Sequence, residues 1–241
     1  MGIQKTKITE LYNSVILLLI LRVSLNSKGR TDMKDKEATR KKILEEGRKA
    51  FIEKGYDNAY LRDIARDAGV TTGAIYGHYK DKDALFAALV RPVLEGLKEE
   101  LRKLQDQYCE IEDSHLKKDP MFLNSFDAAT DYIFDHLDIF ILLIKSAHET
   151  SMRTWFDDLV KEQSDAADSF QRKWESAGIL NSEINKDFIS IVTASYYRNI
   201  FDAVAKGMDR ENMKVFVKML SVYYTGGWKA LAEAMNNEEK T

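Results

Sequence analysis

"AGVTTGAIYGHYKDK", Ala68 to Lys82, stands out in a chain rich in helix formers. Its fifteen residues include Gly69, Gly73, Gly77, the pair Thr71 and Thr72, and Tyr76 and Tyr79, all poor helix formers. Yet it lies between stretches whose apolar residues recur at helical spacing. Upstream, Ala38 to Lys54 places Ile43, Leu44, Ala50 and Phe51 on one face of an amphipathic helix, with Gly55 just past its end as a stop. Leu61 to Ala68 reads as a short second helix burying Leu61, Ile64, Ala65 and Ala68, with Asn58 as its N-cap. Gly69 then turns the chain, Val70 points inward and Thr71 caps a third helix. Helix, short helix, glycine turn and short helix make a helix-turn-helix. Ile75 and Tyr79, four apart, pack inward and leave Thr72, Gly73 and Tyr76 outward, so neighbours hold the weak helix.

The rest of the chain sets the fold class. Two prolines, Pro92 and Pro120, in 241 residues, with no Asn-Gly or Asp-Gly hairpin signal, predict an all-α protein. After "KDKDALFAALV" long helices are expected: Leu85 to Tyr108, bending at Pro92, then Phe122 to His136, Leu137 to Thr150, Arg153 to Ala177, Lys186 to Lys206 and Asp209 to Met235. Gly178 and Gly207 mark joints, and Gly226 and Gly227 offer close helix packing. The organisation read from this is a 1–33 extension, a 34–83 helix-turn-helix domain and an 84–241 helical body.

Charge and cysteine content narrow the function classes. The net charge of −3 is unevenly spread, with a mildly basic front and an acidic body after Asp83, a pattern in which the front meets phosphate. One cysteine, Cys109, rules out an intramolecular disulfide and a thiolate metal cage, which fits a cytoplasmic protein. The apolar run Val15 to Leu21, "VILLLIL", is shorter than the ~20 residues of a spanning helix and precedes no clear cleavage site. A signal peptide, an anchor and a natural start at Met33 are open for it. The last is preferred, because "MKDKEATRKKILEEG" opens like a charged lead-in to a helical domain. No membrane is expected as a partner.

A recognition helix must bring backbone and short side chains to base edges in a major groove about 12 Å wide. Gly73 removes the side chain that would hold the backbone away. Thr71 and Thr72 carry hydroxyls, Tyr76 and His78 reach phosphate, and Lys80 and Lys82 add charge at the next helix start. Low helix propensity follows from choosing this surface for DNA.

Thr39 to Val90 resembles the DNA-binding region of the tetracycline-repressor (TetR) family of bacterial regulators. The likeness lies in the "FxxKGY"-like end of helix one, in "LRDIARDAGV" and in "GAIYGHYKDKDALF". It implies that Thr71, Thr72 and Gly73 approach bases and that Tyr76, His78 and Lys82 bind phosphate. Ala59 and Tyr60 depart from the Thr or Ser usual there, and Gly77 replaces a commonly larger residue. The resemblance also implies a body that binds a small-molecule effector and a homodimer paired through the last two helices on a double-stranded DNA operator. The last two segments are apolar around much of their circumference, as a second buried face requires. An effector pocket is mostly apolar with a few orienting polar groups; Tyr132, Phe140, Leu143, Ile144, Trp155, Phe170, Trp174 and Tyr197 are candidates, with His148 and Glu149 as polar groups. His78, His115, His136 and His148 lack metal-ligand spacing, and no nucleophile or phosphate-loop motif occurs, so neither metal, cofactor nor catalysis is expected. A helical interaction protein without operator binding is the alternative; the intact "TTGAIYGHYK" face speaks against it.

Overall fold

The computed structural model describes residues 35–116 and 127–238. The expectations for Met1 to Met33, for Val15 to Leu21 and for residues 122–126 lie outside them. The described chain is α-helical, without a strand among the described residues. Helix α1 covers 35–58, α2 Leu61–Asp67, α3 Thr72–His78 and α4 Lys82–Cys109. The body continues with α5 Asp113–Leu116, α6 Asp127–Asp135, α7 Leu137–Ser146, a 3-10 turn Ala147–Glu149, α8 Trp155–Ser176, α9 Lys186–Ala205 and α10 Arg210–Glu238.

The caps show why the elements break where they do. Gly55, Gly178 and Gly207 adopt φ of +77°, +65° and +78°, the left-handed conformation that ends helical turns. Helical hydrogen bonding continues past Gly55 to residue 58, so glycine bends the end of α1 rather than stopping it outright. The expected Asn58 cap is corrected: Tyr60 holds the N-cap position of α2 without a side-chain bond, while Asn58 Nδ2 donates back to the Lys54 carbonyl at 3.2 Å. Asn58 lies two residues too early, where its nearest partner is the helix it leaves.

The core runs without interruption from the helix-turn-helix into the body. Ile43, Phe51, Ile64, Ile75, Leu85 and Phe86 are fully or almost fully buried and belong to one cluster with Phe140, Leu143, Leu159 and Val204. Phe51, Tyr56 and Phe86 form an aromatic triangle with centroids 5.2 to 5.9 Å apart. Helix α4 runs unbroken through the exposed Pro92 and packs against α6, α7 and α8. Gly96 on α4 allows the close approach of α6, since a Cβ there would lie 2.5 Å from Tyr132 Cζ. Two polar ties join front and body: Arg48 to Asp138 at 2.6 Å, and Ser151 N–H donating to Asp83 Oδ1 at 2.9 Å. A second, smaller core at the far end gathers Trp174, Leu180, Ile184, Ile189 and Ala232.

Candidate nucleic-acid interface and body cavity

The stretch from Gly69 to Lys82 builds one outward face. Gly69, at φ +67°, makes the turn, and Thr71 Oγ1 accepts from Ala74 N–H at 3.1 Å, capping α3 as expected. Ile75 is fully buried and Tyr79 nearly so, which leaves Tyr76 56% exposed and Gly73 and Gly77 open to solvent. A Cβ on Gly73 would touch only Thr71 Oγ1, at 3.8 Å, so nothing inside the fold requires glycine there. Thr72 and His78 are half-buried, and Lys80 is exposed. Thr71, Thr72, Gly73, Tyr76, His78 and Lys80 therefore lie together along α3 and the turn after it.

Lys82 behaves differently from its sequence expectation. Its ammonium donates to the Tyr56 and Asp57 carbonyls at 2.7 and 3.2 Å and stands 4.3 Å from the centre of the Tyr56 ring. Two of its three N–H groups thus satisfy the last turn of α1, whose carbonyls lack helical partners. Asp81 caps α4 by accepting from Ala84 N–H at 2.7 Å. The entrance to α4 is an internal clamp, and Lys80 is the cation it leaves outward.

In the body, a cavity of about 180 Å³ lies between α8, α9 and α10. Phe170, Trp174 and Tyr197 line it. Phe140, Leu143 and Trp155 instead fill the main core, and Ile144 packs against it. Tyr132 stacks on His136 at 4.3 Å and donates to the Val93 carbonyl at 3.1 Å, away from the cavity. His148 and Glu149 pair at 3.3 Å on the surface of the 3-10 turn, with side chains 71% and 40% exposed. Sequence reasoning missed Gln163, Tyr196, Ser221, Tyr224 and Trp228, which also line the cavity. A signal for Gln163 exists: with Ala167, Phe170 and Trp174 it falls on one stripe of α8, a polar residue on an otherwise apolar face.

The cavity's polar groups are linked to α4. Gln163 Oε1 accepts from Gln105 Nε2 at 2.8 Å and from the Tyr197 hydroxyl at 3.0 Å, while Trp174 Nε1 donates to Tyr108 Oη at 2.5 Å. Burial drives the Tyr197 phenol upward from its ordinary pKa and pushes Tyr196 up to about 12, so both stay protonated near neutrality. No group of three or more His, Cys, Asp or Glu with metal-ligating placement occurs among the described residues, and none of their helices is long and apolar enough to cross a membrane.

Comparison with known proteins agrees with this geometry. Residues 43–89 match the family described as "Bacterial regulatory proteins, tetR family". A transcriptional repressor of Mycobacterium tuberculosis with a helix-turn-helix is 48% identical over 54 residues, 22% of this chain and 29% of the relative. The chain thus aligns with under a third of that repressor's length. Among solved structures, a TetR-family regulator from Mesorhizobium loti superposes with a TM-score of 0.55 at 16% identity, over 79% of this chain and 96% of that one. SmeT, the repressor of the Stenotrophomonas maltophilia multidrug efflux pump SmeDEF, also superposes at 0.55, with 22% identity over 78% and 91% of the two chains. These likenesses establish the all-helical architecture, a helix-turn-helix front on a helical body.

Proposed function

We propose, on the premise that this chain is a tetR-family protein through its residues 43–89, that it is a cytoplasmic, ligand-responsive transcriptional repressor. It acts as a homodimer on a palindromic operator. One observation carries the reading: α3 is held by the buried Ile75 and Tyr79 and turns its glycine and threonine face to solvent. Thr72 and Gly73 approach base edges, Thr71 and Tyr76 fix the helix against phosphates, and His78 and Lys80 contact the flanking backbone. Lys82 positions this set by joining α4 to α1. Residues 34–83 form the reading domain and 84–241 the effector and dimer domain.

The homodimer is supported by an apolar stripe that no element among the described residues covers. Val215, Met219, Val222 and Tyr223 on α10, and Phe188 and Ile191 on α9, are exposed at 44 to 76%. On α10 these positions recur at helical spacing with Gly226, where a Cβ meets open space, so a second helix can approach closely. Two-fold pairing through α9 and α10 then presents two α3 faces to half-sites one helical turn, about 34 to 36 Å, apart.

The test is fluorescence anisotropy with duplex DNA from upstream of the protein's own gene and with a shuffled duplex, at physiological salt. Preference for the upstream duplex by about a thousandfold is expected. Equal affinity for both would contradict operator binding.

A further inference from the structure

The cavity in the body has a specific chemistry. Its lining contains no acid, base or histidine, and its walls are largely aromatic, including Phe170, Trp174, Tyr196 and Trp228. Its size of about 180 Å³ exceeds the roughly 150 Å³ of an apolar protein cavity known to take up benzene. A flat molecule of one or two fused rings fits that space.

Most polar groups at the wall are already paired. Tyr196 Oη meets Ser221 Oγ at 3.3 Å, and the Tyr224 hydroxyl donates to Ser195 Oγ at 3.0 Å. Gln171 uses both ends of its amide, donating to Glu175 at 2.9 Å and accepting from the Ile184 N–H at 3.3 Å. Gln163 holds the one fully buried side-chain polar atom of the wall without a partner among the described residues. It is 8% exposed, and its Nε2 finds no acceptor among the described residues. As placed, Oε1 accepts from Gln105 and Tyr197, which leaves Nε2 as the end of the amide without a partner. A buried amide N–H₂ without a partner costs about 1 to 3 kcal/mol, which a ligand acceptor recovers.

We infer that the cavity between α8, α9 and α10 binds an uncharged aromatic molecule of one or two fused rings, whose single hydrogen-bond acceptor is received by Gln163 Nε2. The aromatic walls supply apolar contact, the amide sets orientation, and the absence of a cation at the wall selects against anions. The inference rests on the ligand-responsive reading only for its consequence at DNA; occupancy itself needs no DNA.

The experiment is calorimetric titration of the full chain, without DNA, with three isosteric probes: methyl naphthyl ketone, isopropenylnaphthalene and naphthoate. The ketone is expected to bind about tenfold tighter than the hydrocarbon, the value of one buried hydrogen bond, and naphthoate weaker than either. In Gln163→Leu the ketone and hydrocarbon should bind equally. In Ala167→Phe, which fills the cavity from its wall while leaving the amide in place, binding of both should be lost with unchanged circular dichroism. Equal affinities in the wild-type chain, tighter naphthoate binding, or no binding of any probe overturns the inference, even if Gln163→Leu fails to fold. Operator anisotropy measured separately distinguishes the two readings: probe binding without operator binding refutes DNA recognition alone, and operator binding without probe binding refutes the cavity assignment alone.

Discussion

Replacing Lys82 by methionine keeps most of the aliphatic stem and removes the charge, and the structure sets the expected cost. The ammonium donates to two carbonyls in the last turn of α1, at 2.7 and 3.2 Å, and lies 4.3 Å from the Tyr56 ring. In a dry site each charged hydrogen bond would contribute about 1.5 to 3 kcal/mol. Here solvent reaches part of the site, and a cation at an exposed helix end contributes about 0.3 to 1 kcal/mol. The ring contact adds about 0.5 kcal/mol. Because Tyr56 also packs edge-on against Phe86, 5.2 Å away, loosening it disturbs the junction of α1 and α4. A total of about 1 to 1.5 kcal/mol corresponds to a fall of about 2 to 6 °C in melting temperature for a chain of this length. The assay is scanning calorimetry of Lys82→Met without DNA, paired with the salt dependence of DNA binding. The log–log salt slope should stay close to wild type in Lys82→Met and fall by about one unit in Lys80→Met, whose cation has no partner among the described residues. An unchanged melting temperature with a slope reduced by one unit in Lys82→Met would refute the clamp and return Lys82 to phosphate binding.

Gly96→Ala should destabilise the protein by about 1 to 3 kcal/mol, because the new methyl group collides with the Tyr132 ring and this outweighs the helix-propensity gain of up to about 1 kcal/mol; chemical denaturation reads it, and pairing it with Tyr132→Ala should cancel most of the clash-specific loss. Asp131 is held below its ordinary pKa of 3.8 by hydrogen bonding to Lys214, with Arg210 adding to the effect. Its native pKa is the lower one, so its contribution is full above the unfolded value and fades as pH falls below about 4. The melting-temperature gap between wild type and Asp131→Asn should therefore shrink on acidification, and a constant gap from pH 7 to pH 3 would disprove the pairing. Met219→Glu places a charge on the apolar stripe of α10 and should convert the proposed dimer to monomer in light scattering while leaving the helical signal intact; a dimer that persists in the variant moves the interface elsewhere.

Local chemistry made the front of the molecule readable. The threonine cap at Thr71, the turn glycine Gly69 and the inward pair Ile75 and Tyr79 depend on residues within four positions of one another, and all sit in the structure as the pattern requires. Gly178 and Gly207 marked helix ends for the same reason. The clamp at Lys82 was not legible because its partners lie 25 and 26 residues upstream, beyond any periodic signal. The cavity was harder still. Its wall combines three helices, and an aromatic residue on an apolar face looks the same in sequence whether it fills the core, as Phe140 does, or borders a space, as Phe170 and Trp174 do. His148 and Glu149 attracted attention as polar residues after an apolar run, but that position is where the chain surfaces in a 3-10 turn.

The central claim is that α3 tolerates poor helix formers because its surface is given to DNA, and Gly73→Leu tests it most directly. Gly73 has no left-handed φ, and a Cβ there meets only Thr71 Oγ1, at 3.8 Å, among the described residues. Leucine should raise stability by a few tenths to about 1 kcal/mol through helix propensity, while its bulk holds α3 off the groove and weakens operator binding by at least about tenfold. A melting temperature at or above wild type together with that loss of affinity, measured by anisotropy on the upstream duplex, is the predicted result. Undiminished operator affinity in a folded Gly73→Leu protein would contradict the account.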